Sequence, residues 1–209
     1  MGAEQLLQPF QSRRTFYALE ASSTISDDKI NEIVHAVVKH TPSSFNSQST
    51  RVLVLLADEH KKLWEEIVKP AVKAVAPPEA WEGSEKKLTG FANAYGSVLF
   101  YEDPQDVSNL QQKFPLYSDK FPQWSEHTNA MHQYALWTAF EQEGLGANLQ
   151  HYNPLIDEKV ASTWGIPKTW SLKGQLVFGK PASQPGEKSF KPIEGERLFV
   201  YGGKFGQKK

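Results

Sequence analysis

The 209-residue sequence contains no cysteine. That absence excludes a disulfide scaffold, a thiolate zinc site, an iron–sulfur cluster and a cysteine nucleophile. An excess of either charge is lacking too. The 23 basic and 24 acidic residues leave a formal charge of −1, which argues against a general binder of nucleic acid or acidic membrane. No apolar run approaches the roughly 18 residues of a membrane span, and there is no Asn-x-Ser/Thr sequon. Met1 to Leu6 lack the basic and apolar regions of a secretory signal, and Leu6 stands where myristoylation at Gly2 needs Ser or Thr. These absences predict a soluble, cytoplasmic protein. No repeat is present, and the turn-rich stretch Gly179 to Gly195 reads as an ordered excursion, so residues 1–209 are expected to form a single domain.

Familiar catalytic motifs fail as well. Gly174-x4-Gly179-Lys180 mimics a phosphate loop, but Pro181 replaces the magnesium-holding Ser/Thr and the run lies on a predicted strand. Gly144-Leu145-Gly146 lacks the third glycine of a dinucleotide fingerprint. There is no Gly-x-Ser-x-Gly elbow. The pairs His35/His40 and His127/His132 are five apart rather than the four of a helical zinc pair, so no metal site is expected.

What is present is aromatic surface. Residues 91–140 hold 11 of the 25 aromatics, so the middle of the chain needs flat, rigid walls. Helices are predicted at 4–13, 26–39, from Asp58, and at 104–114, 125–143 and 155–164. The segment 26–39 carries Ile30, Ile33, Val34, Val37 and Val38 at helical spacing behind a Ser26 cap. Arg51 to Ala57 and Ser97 to Tyr101 read as buried strands, and Leu172 to Phe178 and Arg197 to Tyr201 as further strands. Mixed elements with long connections suggest one α+β or α/β layer arrangement.

Three segments set unusual polar chemistry beside these elements. Ser12-Arg13-Arg14-Thr15-Phe16-Tyr17 offers two guanidinium forks that suit phosphate or carboxylate; alone it equally describes a solvated basic helix end. The loop from Thr41 to Arg51 is dense in hydroxyls and amides that can read a heterocycle edge, or simply make turns. Glu143 to Pro154 contains glycines that allow a ligand close to the backbone, or that merely stop a helix.

In this order, an Arg-Arg-Thr, a Pro-Ser-x-x-Asn-x-Gln loop, a Gly-Leu-Gly after a long helix and a late Gly-x-Pro…Lys stretch, the chain resembles the FMN-dependent nitroreductases. His151-Tyr152-Asn153-Pro154 looks like the compact branch of fungal fatty-acid-repression-mutant proteins and bacterial copper-induced nitroreductases. The resemblance implies an α+β fold, an α/β sandwich with a central, mostly antiparallel sheet flanked by helices, and an intertwined homodimer with FMN at its interface. It assigns Arg13, Arg14, Thr15 and Tyr17 to the phosphate and ribityl chain. Ser43, Ser44, Asn46 and Gln48 fall to the loop donated by the other subunit, and Leu145, Gly146 and Ala147 to the flavin N5 edge. Lys188 is the late phosphate ligand, with Lys191 and Arg197 as rivals. It further implies NAD(P)H as reductant, hydride transfer through flavin N5 in a ping-pong cycle, and small aromatic electron acceptors such as nitroaromatics or quinones. No catalytic side chain is then required. Tyr95, Phe114, Tyr117, Phe121, Trp124 and His127 are the candidate pocket rim, though each equally suits core, and residues 112–124 a candidate lid. Two other functions remain open: a flavin-holding regulatory protein linked to lipid or stress signalling, and flavin destruction or dehalogenation on the same scaffold.

Overall fold

The computed structural model describes residues 2–203. Its organising element is a fully antiparallel sheet. The strands are β1 (Leu19–Glu20), β2 (Thr50–Leu56), β3 (Gly96–Glu102), β4 (Gly146–Gln150) and β5 (Ser171–Pro181), in the order β1-β5-β3-β2 with β4 also paired to β5. Along β2 and β3 the register sets Leu53 opposite Leu99, and along β3 and β5 Leu99 opposite Gln175.

Every residue of β3 is buried, so its side chains feed two cores alternately. Leu99 and Tyr101 join Leu55 and Val177 on one face, packed under Leu63, Trp64, Leu88, Phe91 and Val160. Val98 and Phe100 join Leu176 and Phe178 on the other, under Ile30, Val34, Leu136 and Phe140. The first helical layer contains α3 (Ala57–Lys62), continued through a π-helical turn Leu63–Val68 into α4 (Lys69–Val75), then α5 (Pro78–Ala92) and α8 (Asp157–Trp164). The second contains α2 (Asp27–His40) and α7 (Phe121–Gln142). The remaining helices are α1 (Glu4–Ser12) and α6 (Pro104–Lys113). No helix among the described residues is long and apolar enough to cross a membrane.

The Ser26 cap forms as expected, its Oγ accepting from the Lys29 N–H at 3.2 Å. Other expectations need correction. Arg197 to Tyr201 is not a strand: its first residues close a turn through one Glu194–Leu198 bridge, and among the described residues it pairs with no strand of the sheet. The apolar run of β2 is an edge strand, and residues 51–54 are only half-buried. The helical region that begins near Asp58 ends at Val75, just before the Pro77-Pro78 pair, but the same pair also opens an unexpected helix, α5, with proline at the helix start where its missing N–H costs nothing. The long helix begins at Phe121 rather than Ser125, and residues 112–124 run as the end of α6, a 3-10 turn Pro115–Tyr117 and the start of α7.

One polar group lies deep in the first core. His60 is fully buried, with Nε2–H donating to the Phe91 carbonyl and the Ser97 hydroxyl donating to Nδ1, both at 2.9 Å. The tautomer follows because a carbonyl can only accept. Trp64 Nε1–H donates to the same Ser97 oxygen at 2.9 Å. Burial lowers the His60 pKa to about 4. The folded state thus holds the ring neutral while an unfolded chain protonates it near pH 6.5. Stability is full above that value and falls as pH drops toward the folded pKa. Between pH 7 and pH 5 the loss attributable to His60 is about 2 kcal/mol. Urea unfolding at both pH values checks it, and His60→Gln removes this part of the slope.

Candidate functional site

The N-terminal run is held in place by backbone groups. Beyond α1, the Arg14 N–H donates to both Glu141 oxygens at 2.9 Å, and Trp137 Nε1–H reaches the same carboxylate at 3.2 Å. Burial raises the Glu141 pKa; the Arg14 N–H and the two arginines only partly oppose it. The chain then follows β4. Thr15 bridges Ala147 in parallel, the Phe16 N–H donates to the Ala147 carbonyl at 3.0 Å, and Asn148 Nδ2 donates to the Phe16 carbonyl at 2.8 Å. Close approach demands glycine at 146, where a Cβ would lie 2.9 Å from Phe16. Residues 13–17 and 145–147, far apart in sequence, are therefore adjacent.

A cleft of about 340 Å³ opens beside them, lined by Arg13, Arg14, Thr15, Tyr17 and the stretch Pro185 to Lys188. Arg14 Nη2 donates to the Gly186 carbonyl, which ties the two sides together. The Arg13 guanidinium carbon lies 4.4 Å from the Trp137 ring centroid, and its Nη1 is buried without a hydrogen-bond partner. A buried guanidinium N–H without an acceptor suits an anion. Of the three late cations considered, Lys188 lines this cleft, whereas Lys191 and Arg197 do not.

Tyr17 also lines a neighbouring cavity of about 660 Å³, together with Gly83, Lys86, Lys87, Gly90, Phe91 and Gln150. Sequence reasoning missed this wall. The signal was available: 83, 86, 87 and 90 follow the i, i+3, i+4, i+7 spacing of one helix face. Nothing lies within 4 Å of a Cβ built at Gly83 or Gly90, so both glycines face open space.

The loop Ser43, Ser44, Asn46 and Gln48 lies elsewhere in the chain. It contains a 3-10 turn, Ser44–Asn46, and Phe45, Asn46 and Gln48 have φ of 54°, 54° and 49°. Left-handed conformation costs such residues roughly 1 kcal/mol each. The Gln48 N–H donates to Ser43 Oγ at 3.0 Å. Phe45, another residue not anticipated, packs against Phe114, Phe121 and Tyr117 and stacks on Trp124 at 6.1 Å. Four of the six candidate rim residues thus form one aromatic group, of which Phe121 is buried. Tyr95 lies apart, against Phe178 and donating its hydroxyl to Asp27, and His127 is exposed on α7. The loop is anchored from behind. Ser49 and Thr50 donate to the buried Glu102 carboxylate at 2.5 and 2.6 Å, and Asn129 Nδ2 donates to it at 2.8 Å.

The sequence matches the nitroreductase family over residues 10–180. Two Saccharomyces cerevisiae proteins, HBN1 and the nitroreductase FRM2, are 39% and 37% identical over 186 and 188 residues, each match covering 88% of this chain and 92% of the relative. The nitroreductase CinD from Lactococcus lactis, solved in complex with nicotinic acid, is 45% identical with a TM-score of 0.87, covering 94% of this chain and 99% of that one. A nitroreductase from Desulfitobacterium hafniense with bound FMN shares the fold at 13% identity and a TM-score of 0.69, covering 96% of this chain and 100% of that one. Fold and relatives together define an oxidoreductase. The chain belongs to the nitroreductase family.

A glycine inside a helix costs about 1 kcal/mol relative to alanine. Gly90→Ala should therefore stabilise the protein by up to about 1 kcal/mol in urea unfolding, because the added methyl meets only open cavity. A loss of stability would mean that the α5 face is already covered.

Proposed function

We propose that the protein is an FMN-dependent oxidoreductase that accepts hydride from NAD(P)H and reduces nitroaromatic or quinone acceptors in a ping-pong cycle. The observation that carries this reading is the convergence of Arg13, Arg14, Thr15 and Lys188 on one cleft that meets a larger cavity at Tyr17. FMN supplies the redox chemistry when bound, exchanging hydride at N5 with both substrates.

The chain's own residues bind, orient and shield. Arg13, Arg14 and Lys188 neutralise the phosphate, and the unpartnered Arg13 Nη1 gains an acceptor. Thr15 and Tyr17 line the path between the cleft and the larger cavity. Lys86 and Lys87 bring positive charge to that cavity, which favours a reduced, anionic ring. Leu145, Gly146 and Ala147 are buried and line neither cavity, so their part is to hold Thr15 and Phe16 in place beside β4.

The aromatic group and the Ser43–Gln48 loop belong to the same site through a homodimer. Trp124 and Trp137 stand on one helix about 20 Å apart at 1.5 Å per residue. The loop meets the first and Arg13 the second, so one chain does not bring both to a single flavin. A second copy supplies Ser43, Ser44, Asn46 and Gln48, and the walls of Phe114, Tyr117 and Trp124 suit flat acceptors. CinD complexes with 4-nitrophenol and chloramphenicol support that substrate class. The exposed Leu198, Phe199, Val200 and Tyr201 and the open edge of β2 support pairing between copies.

Purified protein should be yellow, and anaerobic NADH or NADPH should bleach it, with a nitroaromatic restoring the colour. Yellow protein that neither nucleotide bleaches would favour a flavin holder. Arg13→Ala with Arg14→Ala removes charge-assisted bonds of about 1.5–3 kcal/mol each, so FMN affinity should fall by 100-fold or more on that roughly additive basis. Retention measured by fluorescence of released FMN checks this. Phe199→Asp should shift the protein toward monomer in analytical ultracentrifugation.

A further inference from the structure

Away from both cavities, a pocket of about 260 Å³ lies between the end of β3, the start of α8 and the turn before β5. Tyr101, Asp157, Ala161, Pro167 and Trp170 line it, with Glu158 and Lys168 paired at 3.3 Å. It shares no residue with the flavin cleft or the cavity beside it.

Two polar atoms here lack partners. The Tyr101 hydroxyl and Asp157 Oδ1 are buried and make no hydrogen bond, and Tyr101 is only 3% exposed. Buried polar atoms are nearly always satisfied, because an orphan loses its hydration without replacement. Burial and the Asp157 charge both hold the Tyr101 phenol protonated, so it offers a donor. Asp157 offers an acceptor. The tyrosine and tryptophan rings stand 6.1 Å apart at 55° to each other, and Trp170 is fixed by its Nε1–H on Asp103 and by the Arg51 guanidinium over its face. One water, at about 30 Å³, fills little of this volume and leaves the apolar wall of Ala161, Pro167 and Trp170 uncovered.

We propose that this pocket binds a small aromatic primary carboxamide. The amide N–H donates to Asp157 Oδ1, the Tyr101 hydroxyl donates to the amide carbonyl, and the ring lies against Trp170. The edge of a carboxamide presents one donor and one acceptor side by side, which matches the two orphan atoms in kind. A carboxylic acid places a second anion against Asp157, and an amidinium leaves the Tyr101 donor unmet.

The test uses the full, FMN-loaded protein and three probes of one shape, benzamide, benzoate and benzamidinium, followed by ligand-observed NMR and calorimetry. Benzamide should bind one molecule per chain and saturate below about 10 mM, the range of a weak fragment. Benzoate should bind roughly tenfold more weakly or not at all, since it lacks the donor and meets a like charge. Tyr101→Phe and Asp157→Ala should each weaken benzamide by about tenfold. Without ligand, Tyr101→Phe should keep or raise the Tm, because it deletes an unmet hydroxyl. Unchanged affinity in both variants would mean that the amide sits elsewhere and would overturn the proposal. So would benzamidinium binding more tightly than benzamide, or a lower Tm for Tyr101→Phe, which would reveal a hydroxyl already satisfied.

Discussion

The structure depends on β5. This strand hydrogen-bonds β3 along one side and β4 and β1 along the other, so both cores and the N-terminal run take their positions from it. Ala147 pairs with Phe178 on β5, Thr15 then bridges Ala147, and Arg14 is fixed one residue earlier. The cationic cleft is thus three backbone steps from the centre of the sheet. Rigid elements of this kind hold a ligand more tightly in place than a free loop does.

That path explains what was readable from sequence. The hydrophobic runs of β3 and β5 and the stripe Ile30, Ile33, Val34, Val37 state their burial locally, through period and composition. The motif order placed Arg13, Arg14, Thr15 and Lys188 on one anion, and these residues do line one cleft. β4 was not readable because Gly-Ala-Asn-Leu-Gln is short and polar; its strand character comes from pairing with β5, a non-local cause. The α5 face was missed because Pro77-Pro78 reads only as a stop, whereas it ends the region of α4 and also starts α5. Arg197 to Tyr201 shows the opposite error. Its alternation fits a strand, but a strand needs an adjacent edge, and among the described residues its pairing is the Glu194–Leu198 bridge alone.

The chain's near-zero charge does not oppose a phosphate site. Two arginines and a lysine gathered on one cleft, against the single lining carboxylate of Glu187, create a local field that composition cannot reveal. Glu141 balances them from behind: it binds the Arg14 backbone rather than either guanidinium, so that Arg14 reaches the Gly186 carbonyl and Arg13 Nη1 is left without a protein acceptor. The absence of cysteine belongs to the same logic, since a cofactor that carries the redox chemistry leaves no task for a thiol.

The Ser43–Gln48 loop is where folding and function pull apart. Three residues with left-handed φ oppose stability, and a relaxed turn would remove that cost. The loop persists because it is held at both ends of its exposed face. Phe45 is clasped by an aromatic group, and Ser49 and Thr50 are fastened to Glu102, which Asn129 ties to α7. Buried polar bonds of this sort specify one geometry when every member is satisfied. Exposed hydroxyls and amides on a loop so constrained have lost their freedom before any ligand arrives, and pre-ordering lowers the entropic cost of binding. The strain and its anchorage therefore mark this loop as a prepared surface, the part that the homodimer proposed above would set against the arginine cleft of a second chain.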